Sequence, residues 1–238
     1  MRLKRYNKTL DYSYTFGIYP TIELLKAKPE TVAKIITHSK LSDEEGARII
    51  NTLTEKHGIP LECNDRLINR LSPKDTCYVI GVFNKYFPEI SNGNHVVLVN
   101  PGNSGNLGTI IRSMLAFDFN DLAIIRPAVD IFHPDTVRAS MGAVFNISFQ
   151  LFDDITGYRE KFSIHNLYLF MTEGQDTLGR ISFTPPYSLV FGSEPSGLPR
   201  HYQELGNTIR IPQSGRVDSL NLAISASIVL HHLYSRQK

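Results

Sequence analysis

The sequence lacks long hydrophobic runs: nothing approaches eighteen consecutive apolar residues, so no membrane span is expected. The basic opening Met-Arg-Leu-Lys-Arg is not followed by an apolar segment, so no export signal is expected either. Cysteine is scarce. Cys63 and Cys77 lie far apart and outside any C-x-x-C, a pattern expected of reduced thiols in a cytoplasmic protein. The histidines are scattered and no residues show metal-ligand spacing, so no metal is expected. Familiar nucleotide motifs are missing too. Gly102, Gly105 and Gly108 are spaced three and three, unlike G-x-G-x-x-G, and there is no G-x-x-x-x-G-K-[ST] or G-x-S-x-G. Internal repeats and low-complexity tracts are also absent.

What remains is an ordinary globular composition, 42% hydrophobic and 20% charged, over 238 residues, enough for one large or two small domains. The net charge of +2 is unevenly split. Residues 1–92 carry 14 Lys and Arg against 11 Asp and Glu, whereas residues 93–238 carry 11 against 12, with Arg supplying nine of the eleven cations. Arg suits bidentate phosphate recognition better than Lys, which hints at a nucleic-acid partner; a solvated surface is the alternative.

Residues 1–15 show no clear period and read as a fraying N-terminal arm, with Arg2, Lys4, Arg5 and Lys8 available to RNA phosphates. Helices are expected over 21–27, 43–56 (capped by Ser42, ended by Gly58) and up to Leu71 after a cap at Asp65, and strands over 31–37, 59–63 and 77–83. Residues 1–90 thus form a small α/β domain, with a breaker-rich linker over 88–94. Residues 94–238 alternate strands and helices as a parallel sheet does. Strands are expected over 95–99, 121–125, 147–152, 167–171, 187–191 and 208–211, and helices over 107–117, capped by Asn106, 135–139, 153–161 and 219–233. The last helix is apolar nearly all round and calls for a covering partner subunit.

Three glycine-punctuated turns organise this second part. The first is Asn106-Leu-Gly-Thr-Ile-Ile-Arg112; the second is Phe191-Gly-Ser-Glu-Pro-Ser-Gly197; the third is Ile211-Pro-Gln-Ser-Gly-Arg-Val-Asp-Ser-Leu-Asn221. They resemble, in order and spacing, the N-x-G-x-x-x-R, G-x-E-x-x-G and I-P-x-x-G-x-x-x-S-L-N motifs of SpoU/TrmH-family RNA methyltransferases of the SPOUT class. The likeness covers residues 95–235 closely. Residues 17–84 resemble, less firmly, the small RNA-recognition domain of the family's rRNA ribose methyltransferases.

The resemblance implies an α/β fold: a SPOUT-type, trefoil-knotted parallel-sheet catalytic domain, preceded by the small α/β RNA-recognition domain. It also implies a homodimer that binds S-adenosylmethionine and methylates a ribose 2′-hydroxyl, of rRNA rather than tRNA. The alternatives are a tRNA 2′-O-methyltransferase and a catalytically silent RNA-binding protein of the same fold. Phe191, Gly192, Ser193, Gly197, Ile211, Pro212 and Leu220 are the expected cofactor-binding residues. Arg112, Asn106, Glu194, Ser219 and Asn221 are the expected catalytic set, with Glu194 orienting Arg112 or its own turn. Because a guanidinium is a poor base, Arg112 is open to two roles, activating the hydroxyl or clamping a phosphate. Extra residues before Asn106, Gln213 in place of Met, and Pro195 after Glu194 depart from the family pattern.

Overall fold

The structure is a computed structural model and describes residues 3–72 and 76–236. The chain forms two compact units: Met1–Tyr86 with Asp130–Asn146, and Phe87–Val129 with Ile147–Lys238.

In the first unit, strands β1 (Tyr12–Phe16), β2 (Val32–Thr37), β3 (Leu61–Cys63) and β4 (Val79–Asn84) lie in the order β1-β4-β2-β3. Helices α1 (Ile18–Ala27), α2 (Glu44–His57) and α3 (Asp65–Leu71) accompany them. Asp43 rather than Ser42 caps α2, accepting from the Gly46 amide at 2.8 Å, and Asn64 rather than Asp65 caps α3. Gly58, with φ of 63°, ends α2 as expected.

The expected N-terminal arm is instead partly structure. β1 pairs antiparallel with β4, and Leu3, Tyr12 and Tyr14 are buried. The strand period was masked because both faces are covered, one by hydroxyl residues with internal partners. Ser13 Oγ donates to the Phe132 carbonyl at 2.5 Å, and Thr15 Oγ1 accepts from the Gly81 amide at 2.9 Å.

Asp130–Asn146, which the sequence reading groups with residues 94–238, packs in this first unit. Asp130 accepts from Tyr6 OH at 2.5 Å and from Lys85 Nζ at 2.7 Å, and Phe132 and Phe145 meet Phe83 edge-on. Its helix, α5 (Pro134–Ala139), faces β1.

The second unit is a seven-stranded sheet, parallel throughout, in the order β7-β6-β5-β10-β8-β11-β9. The strands are β5 (His95–Val99), β6 (Asp121–Ile125), β7 (Ser148–Phe152), β8 (Asn166–Phe170), β9 (Asp176–Thr177), β10 (Tyr187–Phe191) and β11 (Asn207–Arg210). Its helices are α4 (Ser104–Ala116), α6 (Ile155–Lys161) and α7 (Leu222–Ser235). β5 and β10 are buried at every residue, as a two-sided parallel sheet requires. The chain winds outward through β5, β6 and β7, then β8 starts the opposite side and β10 inserts between β5 and β8. Sheets of this kind bind ligands at the carboxyl ends of strands flanking such a reversal. The first two glycine-punctuated turns leave β5 and β10, which flank the reversal, and the third leaves the same end of β11, two strands from β10.

Candidate active site

The first turn follows β5. Asn103, not Asn106, caps α4: its Oδ1 accepts the Asn106 amide at 3.0 Å. The helix starts earlier than the sequence pattern indicated, and this frees the Asn106 side chain. Asn106 Nδ2 donates to Glu194 Oε1 at 3.1 Å, and Asn106 Oδ1 accepts from Asn221 Nδ2 at 3.2 Å. Asn221 Oδ1 caps α7, accepting from the amides of Ala223 at 2.8 Å and Ile224 at 3.3 Å. A carboxylate only accepts, and so do the caps' oxygens, so each amide orientation in this chain is dictated by its neighbour. One polar relay thereby joins the three turns.

Glu194 Oε2 also accepts the Gly102 amide at 3.2 Å. Burial pushes the Glu194 carboxyl up, but amide donors from its own backbone, Asn106, Gly102 and Asn103 outweigh this and hold it below the usual carboxylate range. The group is an anion fixed by neutral donors. Of its two expected roles, orienting Arg112 or its own turn, these bonds fit the second, and none of them reaches Arg112. Arg112 lies six residues beyond Asn106, about 240° around the helix. It is exposed, borders neither cavity described next, and has no hydrogen bond or ion pair among the described residues. Ser219 is exposed and caps nothing, since α7 begins only at Leu222; it borders both of those cavities.

The second turn is closed by the Ser193 amide donating to the Gly197 carbonyl at 3.2 Å and the Gly197 amide donating to the Ser193 carbonyl at 3.0 Å. A Cβ on Gly192 would sit 2.0 Å from the carbonyl carbon of Gly197, so this close approach admits glycine alone. Gly197 takes φ of 64°.

Between the second and third turns lies a cavity of about 330 Å³. Of the expected cofactor residues, Phe191, Gly192, Ser193, Gly197, Ile211 and Leu220 line it. Pro212 does not: it faces a separate cavity. Ile211 borders both, whereas Pro212 borders only the separate one. Sequence reasoning missed Met171 and Thr172, which follow β8 and complete the wall; they carry no motif, and only adjacency of β8 to β10 brings them in. A second, polar cavity of about 430 Å³ adjoins, bordered by Asn103, Asn106, Asn221 and the shared residues Glu194 and Ser219.

Lys4, Arg5 and Lys8 are exposed on the first unit, with Arg5 Nε donating to the Arg70 carbonyl at 3.0 Å; Arg2 lies outside the described residues. No cluster of metal-binding side chains occurs among the described residues, and none of their helices is long and apolar enough to cross a membrane.

The SpoU rRNA Methylase family model matches residues 93–231, more than half of the chain. The protein belongs to the SpoU rRNA Methylase family. It is 34% identical over 136 residues to an uncharacterised tRNA/rRNA methyltransferase of Synechocystis, covering 56% of this chain and 50% of that protein. It is 29% identical over 144 residues to the 23S rRNA (uridine(2479)-2′-O)-methyltransferase of Streptomyces viridochromogenes, covering 57% and 50%. The chain thus spans about half the length of these curated relatives. Among solved structures, the SpoU methyltransferase AviRb of S. viridochromogenes superposes with a TM-score of 0.81 at 21% identity, over 95% of this chain and 90% of that one, which establishes the fold. The AdoMet-bound rRNA methyltransferase of Sinorhizobium meliloti gives 0.79 at 26% identity, over 95% and 88%.

Proposed function

We propose that this protein transfers a methyl group from S-adenosylmethionine to a ribose 2′-hydroxyl of RNA, with rRNA favoured over tRNA because the Sinorhizobium meliloti structure, similar over 95% of this chain, is that of an rRNA methyltransferase. The observation that carries the reading is the charge of the first cavity. Glu194 and Asp218 border it, no Lys, Arg or His among the described residues does, and Phe191, Ile211 and Leu220 supply apolar walls. That suits an aromatic base joined to a cationic group. Gly192 and its neighbours expose backbone amides and carbonyls to the ligand.

S-adenosylmethionine, when bound, supplies an activated methyl on a sulfonium. The residues of this chain have then to align and to exclude water, and little acid-base chemistry is asked of them. Glu194, Asn106 and Asn221 hold the three turns in register. Ser219, between the two cavities, contacts the ribose entering the polar one. Arg112 clamps an RNA phosphate, since a guanidinium does not act as a base.

The reading includes a homodimer. Ile224 and Ile228 are 52% and 38% exposed along α7. Ser113 Oγ and Ser227 Oγ, 2.7 Å apart, set α4 beside that apolar stripe, so a partner covering it also approaches Arg112. It also includes a cytoplasmic location, RNA recognition by the first unit through its basic residues, and the knot.

The test is incubation of the full chain with unmodified ribosomal RNA and labelled methyl donor, then nuclease digestion and mass spectrometry. Label on a ribose is expected; label on a nucleobase, or none, rejects the reading.

A further inference from the structure

Beside the cofactor cavity opens another, of about 620 Å³, which shares Thr172, Ile211 and Gln213 with it. The two differ in charge. Among the described residues, the first has Glu194 and Asp218 on its border and no Lys or Arg; the second has Arg180 and Arg210 and no Asp or Glu. The methyl transfer described above uses neither arginine.

Both are placed by the fold. Arg210 ends β11, and its Nη1 donates to the Gly174 carbonyl at 3.0 Å. Arg180 ends the 3₁₀ turn Leu178–Arg180 and is exposed. Arg236, just past α7 and outside the lining itself, donates Nη2 at 3.3 Å to the carbonyl of Gly179, which lines the cavity. None of the three has a carboxylate partner among the described residues. Neutral carbonyls orient Arg210 and Arg236 without cancelling their charge, and most of their N–H donors are left over. Clustered guanidiniums repel one another until an anion joins them, and Thr172, Thr177 and Gln213 offer neutral hydrogen-bonding groups to the same ligand.

We propose that this cavity is an anion site for a backbone phosphate of the RNA, holding the strand next to the cofactor cavity. That the anion belongs to RNA rests on the methyltransferase reading; that the site takes phosphate does not. The volume exceeds one phosphate group, and the arginines come from three separate segments, which fits a strand running across the site better than a single small ion.

The experiment uses the full chain as wild type, R180A, R180E and R180K, with octauridylate as the probe over a range of KCl concentrations. Losing one phosphate contact flattens the slope of log affinity against log salt by about 0.7, as for single strands. R180A should show this loss. R180E should bind about tenfold more weakly at moderate salt, and R180K should recover most of the affinity. Calorimetry should give one S-adenosylmethionine affinity for all four. In methyl transfer, R180A should raise KM for RNA and leave kcat in place. Equal slopes and affinities across the series, or no octauridylate binding by the wild type, overturn the site. Inorganic phosphate displacing the probe at concentrations near the probe's own Kd overturns the assignment to a polynucleotide. An Arg180-dependent slope in a chain that methylates no RNA upholds the anion site and rejects the methyltransferase reading.

Discussion

Asn106 Nδ2 stands 3.1 Å from Glu194 Oε1, a hydrogen bond across 88 residues of chain that ties the turn after β5 to the turn after β10. With Asn221 donating to Asn106 Oδ1 from the third turn, it makes the site one rigid polar unit. Asn106→Ala removes both bonds. Each is worth about 1 kcal/mol, so the melting temperature should fall by a few degrees. Methyl transfer should fall by about 100-fold, the scale seen when positioning is lost by an ångström. Single-turnover transfer alongside thermal melting separates the two; transfer within a factor of two of wild type counts against the relay.

Gly192→Ala places a methyl 2.0 Å from backbone of the same turn. No flexible side chain can give way, so the second turn must move. Overpacking of this kind costs about 1–3 kcal/mol, and S-adenosylmethionine binding should drop below detection by calorimetry while the circular dichroism spectrum stays native. Retained binding would falsify the placement of the cofactor against this turn.

Arg112→Ala should abolish methyl transfer and leave S-adenosylmethionine affinity intact, because Arg112 borders neither cavity. Loss of cofactor binding in a folded variant would show that the roles are divided wrongly.

At the other ends of the strands, His95 Nδ1 meets Tyr158 OH at 2.7 Å, and His165 Nδ1 meets Ser188 Oγ at 3.0 Å. Both rings are buried. Burial pushes both imidazoles down, His165 from 6.5 to about 4, helped by the neighbouring His95. A depressed value means that the fold prefers the neutral ring. Below 6.5 the unfolded chain takes up protons that the folded chain refuses, so stability is full above pH 6.5 and falls as pH drops toward 4. Carboxylates held below 4.5, such as Glu194, act only at the lower end of that window. Melting temperature should therefore be flat at neutral pH and decline from about pH 6.5 downward, and His165→Gln should make the decline shallower. A profile unchanged by that substitution removes His165 as the cause.

The sequence by itself determined most element types of the second unit, though not the two-residue, largely uncovered β9. Its central strands β5 and β10 are short buried runs with no competing helical period, and the parallel sheet follows from the alternation of strands with helices. The three motifs also marked the site, since Gly192, Glu194 and Asn221 are residue types that each turn's geometry or its polar partners require. Local chemistry was less legible at the helix starts. Asn103 and Asn106 are equally good caps by type, and only the backbone's path out of β5 decides between them.

Long-range packing decided the rest. β1 was hidden because Ser13 and Thr15 look polar until Phe132 and Gly81 satisfy them. The same packing draws Asp130–Asn146 into the first unit, through Lys85 and Tyr6 on Asp130, an ion pair and hydrogen bond that no local pattern foreshadows. Arg112 shows the limit most plainly: six residues from Asn106 in the motif, it sits on the far side of the helix, because α-helical rotation and not sequence distance sets which side chains share a cavity.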